Sequence, residues 1–168
     1  MKYFLILFLL ITATTVNAQT QTQQAPPCST PEHRQFDFWI GEWAVDQGGK
    51  PAGTNKIELI LNRCVIQENW TGSGGFTGKS FNEYNEQSKQ WQQFWVDNSG
   101  SGIFFTGNFQ DGKMHLRSEG KTADGKQVMT RMIYTPMGKD RLRQLWERSD
   151  DDGKTWQTIF DGNYVRKK

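Results

Sequence analysis

Histidine and cysteine are scarce in this 168-residue chain, at two residues each, and both shortages remove familiar site chemistry. Two histidines give little material for a Ser-His-Asp site, and no Gly-x-Ser-x-Gly elbow accompanies them. A His-Glu-x-x-His pattern, a closely spaced cysteine pair and an EF-hand loop are all missing, so no metal centre is signalled. The glycine-rich stretch from Gly72 to Gly78 lacks the order of a P-loop, and Gly78-Lys79-Ser80 sits at a strand start, so no phosphate site is expected. Neither sign of charge is in excess: 20 Lys and Arg against 18 Asp and Glu leave +2. That balance gives no electrostatic case for nucleic acid or an anionic membrane surface. The basic groups at Arg141, Arg143 and Arg148 and at Arg166-Lys167-Lys168 have acidic neighbours and read as solvated strand faces and a solubilising tail.

Long apolar runs are lacking as well. The run from Phe4 to Ile11 is too short for a normal transmembrane helix. With Lys2 before it and Val16-Asn17-Ala18 after it, it has the form of a secretory signal peptide over residues 1–18. An uncleaved anchor is the alternative; a lipoprotein modified at Cys28 fits less well, because Cys28 lies far beyond the apolar run. Cleavage near Ala18 predicts a periplasmic or extracellular protein with no stable membrane insertion. Residues 19–27 have no apolar content to bury and read as a disordered leader. Residues 28–168 fit one domain with a single core. Export favours pairing Cys28 with Cys64, which pins the N-terminal arm to the domain; two separate thiols is the alternative, since sequence does not bring their Cα atoms within bonding range.

What the chain does contain is a series of short alternating segments with turn signals between them. Ten strands are predicted, at 42–46, 54–61, 64–71, 78–85, 90–97, 101–110, 113–120, 127–135, 141–149 and 155–166. Asp111-Gly112, Asp124-Gly125 and Asp152-Gly153 are strong hairpin signals. Short connections between about ten strands favour an all-β, antiparallel up-and-down barrel over a Greek-key sandwich. Ahead of the strands, Ser29 and Glu32 resemble a capping box and Pro31 suits a first turn, which predicts a short helix over 31–38 closing one end of the sheet.

Ser149-Asp150-Asp151-Asp152-Gly153-Lys154-Thr155-Trp156 resembles the Asp-box hairpin of sialidases and other β-proteins. One copy excludes a propeller, so the motif reads as a rigid turn before the last strand. Phe36-Asp37-Phe38-Trp39-Ile40-Gly41-Glu42-Trp43 resembles the start of an uncharacterised, mostly bacterial secreted family with a lipocalin-like, calycin-type barrel. The likeness continues through Cys64, Glu68-Asn69-Trp70, Gly78-Lys79-Ser80, Trp91 to Asp97, and Phe160-Asp161-Gly162-Asn163-Tyr164. It implies the barrel, while the family has no settled activity. A more distant likeness is to nitrobindin-type and fatty-acid-binding-type barrels, carried by Gly41-Glu42-Trp43. Haem is not expected, because the continuation Ala44-Val45-Asp46-Gln47 lacks glycine and the histidines are only His33 and His115. No other cofactor is signalled.

Seven tryptophans are the other abundance, and most stand two residues from an acid or amide. Residues two apart on a strand share a face. The face holding Glu68 and Trp70, Ser80, Asn82 and Tyr84, Trp91, Gln93, Trp95 and Asp97, Phe105, and Gln144 and Trp146 suits a cavity lining: indoles supply contact area and polar groups orient a ligand. A filled core with internally bonded polar groups is the competing arrangement. The favoured reading is an exported barrel that binds a small, partly apolar or lipid-like ligand. The alternatives are an isomerase or cyclase-type enzyme using Glu68 and Asp97 as acid and base, and a protein-interaction module with a filled core.

Overall fold

The computed structural model describes residues 25–122 and 124–168; the expected signal peptide and the leader up to residue 24 lie outside the described residues. Ten strands follow one another around a closed antiparallel barrel: β1 (Gly41–Gln47), β2 (Lys50–Ile60), β3 (Val65–Gly72), β4 (Thr77–Asn85), β5 (Gln90–Asp97), β6 (Gly102–Gln110), β7 (Lys113–Lys121), β8 (Gln127–Pro136), β9 (Arg141–Ser149) and β10 (Gln157–Arg166). Each bonds its sequence neighbours, and β10 returns to β1 with Trp43 opposite Arg166 and Gln47 opposite Gly162. Closure removes the two edges that an open meander would expose.

The turns explain the meander. Asp111 and Gly112 have φ of 52° and 73°, the two positive values that let a tight hairpin follow the twist of its strands. The Asp-box stretch forms the rigid turn its motif predicts. Gly153 N–H donates to Ser149 Oγ at 2.8 Å, and Thr155 donates to Asp151 through its N–H at 2.9 Å and its hydroxyl at 2.6 Å. Trp156 closes the turn by donating from Nε1 to Gly153 O at 3.0 Å, under the Arg131 guanidinium at 4.1 Å. The Thr155 hydroxyl and N–H, joined by the Ser149 hydroxyl, hold the Asp151 carboxyl down at about 2.

The N-terminal segment departs from the expected helix over 31–38. The capping box does not form: Ser29 Oγ donates to Pro26 O at 2.7 Å, and two 3-10 turns, Glu32–Arg34 and Asp37–Trp39, take the place of one helix. Side-chain spacing accounts for this. His33, Phe36 and Trp39 stand three apart and are all buried, and residues three apart eclipse one another in 3-10 geometry. Phe36 and Trp39 stack at 4.9 Å with 17° between their planes, and Phe36 meets Trp91 edge-on at 5.5 Å. The segment therefore plugs one end of the barrel.

A Cys28–Cys64 disulfide ties the arm before this plug to the β2–β3 turn, and Arg34 Nη2 adds a hydrogen bond to Arg63 O at 2.6 Å. A formed bridge suits an oxidising compartment. Most remaining inward residues form one apolar cluster around the plug. On the outside, Phe81, Phe94 and Phe104 lie directly opposite one another across β4, β5 and β6, each about half exposed.

The bridge closes a sequence separation of 36 residues, which in the chain-entropy picture is worth about 3–4 kcal/mol. Replacing both cysteines with serine is expected to lower the unfolding free energy by about 2–4 kcal/mol in urea while the far-UV spectrum of the barrel persists. An unchanged stability would show that packing alone seats the plug.

Candidate functional site

Inward-facing residues fall into three levels along the barrel axis. The plugged end holds Phe36, Trp39, Trp91, Met114 and Leu116, all buried. A polar belt follows, set by cross-strand register: Glu68 is opposite Ser80, Asn82 opposite Gln93, and Gln144 opposite both Tyr134 and Gly162. Beyond the belt lies a cavity of about 210 Å³. Glu68, Gln93, Tyr134, Gln144 and Tyr164 form its floor, with Phe105 and Met132 beside them. Trp70, Trp95, Trp146, Phe160, Phe76 and Ile159 form its walls and mouth.

The belt is ordered by one backbone acceptor. Asn82 Nδ2 donates to Ile66 O at 3.0 Å and to Ser80 Oγ at 2.9 Å, which turns its amide oxygen toward β5. Gln93 Nε2 donates to that oxygen at 2.7 Å and to the Tyr134 hydroxyl at 3.3 Å. On the other side, Glu68 accepts from Asn55 Nδ2 and from Ser80 Oγ, both at 2.7 Å. Asn55 Nδ2 also reaches the Tyr164 hydroxyl at 3.3 Å, and that hydroxyl donates to Gln144 Oε1. The tyrosine rings link the belt toward the plug: Tyr134 lies 4.8 Å from Trp39, and Tyr164 lies 6.1 Å from Trp43 of β1, whose Nε1 donates to Trp39 O at 2.8 Å.

Glu68 is 4% exposed. Burial pushes its carboxyl up to about 7, against the two hydrogen bonds from Ser80 and Asn55 that favour the charged form. Burial likewise drives the Tyr134 and Tyr164 hydroxyls far above their usual range, with the nearby Glu68 charge adding to it, so both tyrosines stay neutral.

Of the residues singled out from sequence, Glu68, Trp70, Gln93, Trp95, Phe105, Gln144 and Trp146 share this cavity. Ser80 and Asn82 stand behind it as partners of Glu68 and Gln93. Trp91 and Tyr84 face inward at the other end: Trp91 packs on Phe36, and Tyr84 meets His33 edge-on at 5.3 Å. Alternation assigns a face, and these two residues share the face at a different depth. Asp97 lies past the mouth, where its carboxylate caps its own turn by accepting the Ser99 N–H at 2.8 Å and Trp95 Nε1 at 3.3 Å. The Ser99 hydroxyl and these other donors keep Asp97 below its ordinary carboxylate range. Glu68 and Asp97 therefore do not form an acid and base pair across the cavity. Both histidines are absent from the lining, and among the described residues no three His, Cys, Asp or Glu side chains gather to hold a metal.

Tyr134, Tyr164, Met132, Phe160, Phe76 and Ile159 complete the cavity without having been singled out. Four follow from register, since Trp146 is opposite Met132 and Phe160 while Gln144 is opposite Tyr134, and Tyr164 is two residues from Gly162 on the same face. Phe76 sits in the β3–β4 turn, where alternation gives no signal.

No protein-family model matches the chain, and the curated proteins contain no significant match to it. Of the likeness noted from sequence, the structure bears out the closed ten-strand antiparallel barrel.

Two outcomes follow. Glu68 has a folded pKa near 7 against about 4.3 for a solvated glutamate, so it favours the folded state fully below the unfolded value and loses that contribution as pH rises toward 7. Stability should fall by roughly 3 kcal/mol from this group between about pH 4.5 and about pH 7.5; urea midpoints across that window should flatten in Glu68→Gln. Separately, a Cβ at Gly78 would lie 2.1 Å from the Trp95 ring, whereas one at Gly120 meets nothing within 4 Å. Gly78→Ala should displace Trp95, changing its near-UV signal and costing about 1–3 kcal/mol, with Gly120→Ala close to neutral.

Proposed function

We propose that this protein is an exported binding protein that holds a small, partly apolar ligand in the open end of its barrel. The observation that carries the reading is the division of one cavity into a polar floor and aromatic walls. Indole and phenyl faces give contact area at little cost in side-chain entropy, while a few fixed polar groups set orientation. Size narrows the ligand. A cavity of about 150 Å³ takes up benzene, so 210 Å³ suits one ring, or an apolar group of similar bulk, with a short polar arm. Phe76 and Ile159 at the mouth are 45% and 42% exposed, which leaves a route for entry without moving a strand. The bridge and the form of the N-terminus support a role in the periplasm or outside the cell.

An enzymatic role for this cavity would have to rest on Glu68 without Asp97, and general acid–base chemistry on a bound ligand needs groups within reach of the reacting atoms. Binding asks for no second group.

The test is titration of intrinsic tryptophan fluorescence with phenethyl alcohol and indole, together with native mass spectrometry of protein purified from its own host. Saturable binding is expected. Trp95→Ala or Trp146→Ala should weaken it about tenfold, because losing some 50 Å² of apolar contact at about 25 cal/mol per Å² costs about 1.3 kcal/mol. Absence of saturable binding, or binding indifferent to both substitutions in folded protein, would overturn the reading.

A further inference from the structure

We propose that the ligand is an organic cation: an ammonium group on a small apolar body, with Glu68 as its counter-ion and the tryptophan walls around it. This rests on the binding role just proposed and adds the charge of the ligand. The argument starts from what surrounds Glu68. It is the one carboxyl group in the lining, which contains no Lys, Arg or His. Among the described residues no cation lies within ion-pairing distance of it; the eight ion pairs of the fold involve other side chains.

Both Glu68 oxygens already accept hydrogen bonds, one from Asn55 and one from Ser80. That is the arrangement a carboxylate requires. A neutral carboxyl would carry an O–H, which the Ser80 hydroxyl 2.7 Å away can accept by turning its own proton aside. Neutral, the group is satisfied within the belt; ionised, it lacks a counter-charge. Once ionised, the floor is one positive charge short, and a buried carboxylate is stable when paired.

The neighbouring groups supply what an ammonium needs besides the charge. The amide of Gln93 is oriented by the chain from Ile66 O through Asn82, so its nitrogen is committed to Asn82 and Tyr134. Its Oε1 accepts no hydrogen bond among the described residues, and Gln93 lines the same cavity. Around these acceptors stand Trp70, Trp95 and Trp146, whose ring faces carry the negative side of the aromatic quadrupole and attract cations. An anionic head group would meet Glu68 with nothing to offset the repulsion.

Proton linkage supplies a second readout. Because burial raises the Glu68 carboxyl to about 7, binding an ammonium near neutral pH should release a proton from it, and affinity should rise as pH rises. The amine itself, with a pKa of about 10, stays charged throughout.

The experiment compares phenethylamine, phenethyl alcohol and 3-phenylpropionate, which share a ring and a short arm, by fluorescence titration of the full chain. At about pH 7.5 the amine should bind at least tenfold tighter than the alcohol, with 3-phenylpropionate the weakest. The amine's affinity should fall about tenfold or more between about pH 7.5 and about pH 5.5, as Glu68 becomes protonated, while the alcohol's does not fall. In Glu68→Gln the ratio between amine and alcohol should collapse toward one. An alcohol or carboxylate that binds as tightly as the amine, or an amine preference that survives both low pH and Glu68→Gln, would overturn the charge assignment and leave the cavity reading intact. Binding of none of the three would remove both. The pH series on the unaltered protein decides the matter even if the variant does not fold.

Discussion

Ring closure by ten strands is the constraint from which the remaining features follow. Barrel diameter grows with strand number, and about eight strands is where side chains alone still fill the interior. With ten strands this barrel is wider, and its inward residues do not meet across the axis everywhere. One end is filled from outside the sheet by Phe36 and Trp39. The middle is spanned by long amides, a carboxylate and two tyrosines that reach one another by hydrogen bonds. The far end is left as space.

The polar belt is the energetically delicate part. An amide or hydroxyl in such a setting costs free energy unless it is bonded, and here almost every polar atom of the belt has a partner. The exceptions are informative. Asn55 Oδ1 has no protein partner among the described residues, and Glu68 is a carboxyl with no cation beside it. Glu68 lies at the floor of the aromatic-walled cavity, so the belt's chemistry is presented to that space.

Much of this was legible in the residues. Turn chemistry at Asp111-Gly112 and Ser149 to Trp156 marks where strands end, and period-two alternation separates Glu68, Gln93 and Gln144 from their outward neighbours. The strand bounds came within a few residues for that reason. Depth along the barrel was not legible. Trp91 and Trp95 have identical local patterns, yet four residues of strand rise, about 13 Å, carry one into the plug and the other to the mouth. Cross-strand register supplies that coordinate, and register depends on turn lengths and bulges, such as the irregularity between Thr158 and Phe160, that no single strand reveals. The 3-10 plug was hidden for a different reason: the pull of the barrel end on His33, Phe36 and Trp39 outweighs a helical capping pattern that is locally sound.

The seam between β1 and β10 has a consequence for how the protein is made. Its bonds join residues far apart in the chain, Asn163 to Asp46 and Arg166 to Ile40 among them, at separations of 117 and 126 residues. Contacts of that span form late, because the entropy of closing the long intervening segment must be overcome before they return anything. Cys28 and Cys64, by contrast, are both available once the first two hairpins exist. The plug can thus be leashed to the early hairpins while the last strand is still arriving, and the cavity comes into being only when the final residues of β10 zip onto the first strand.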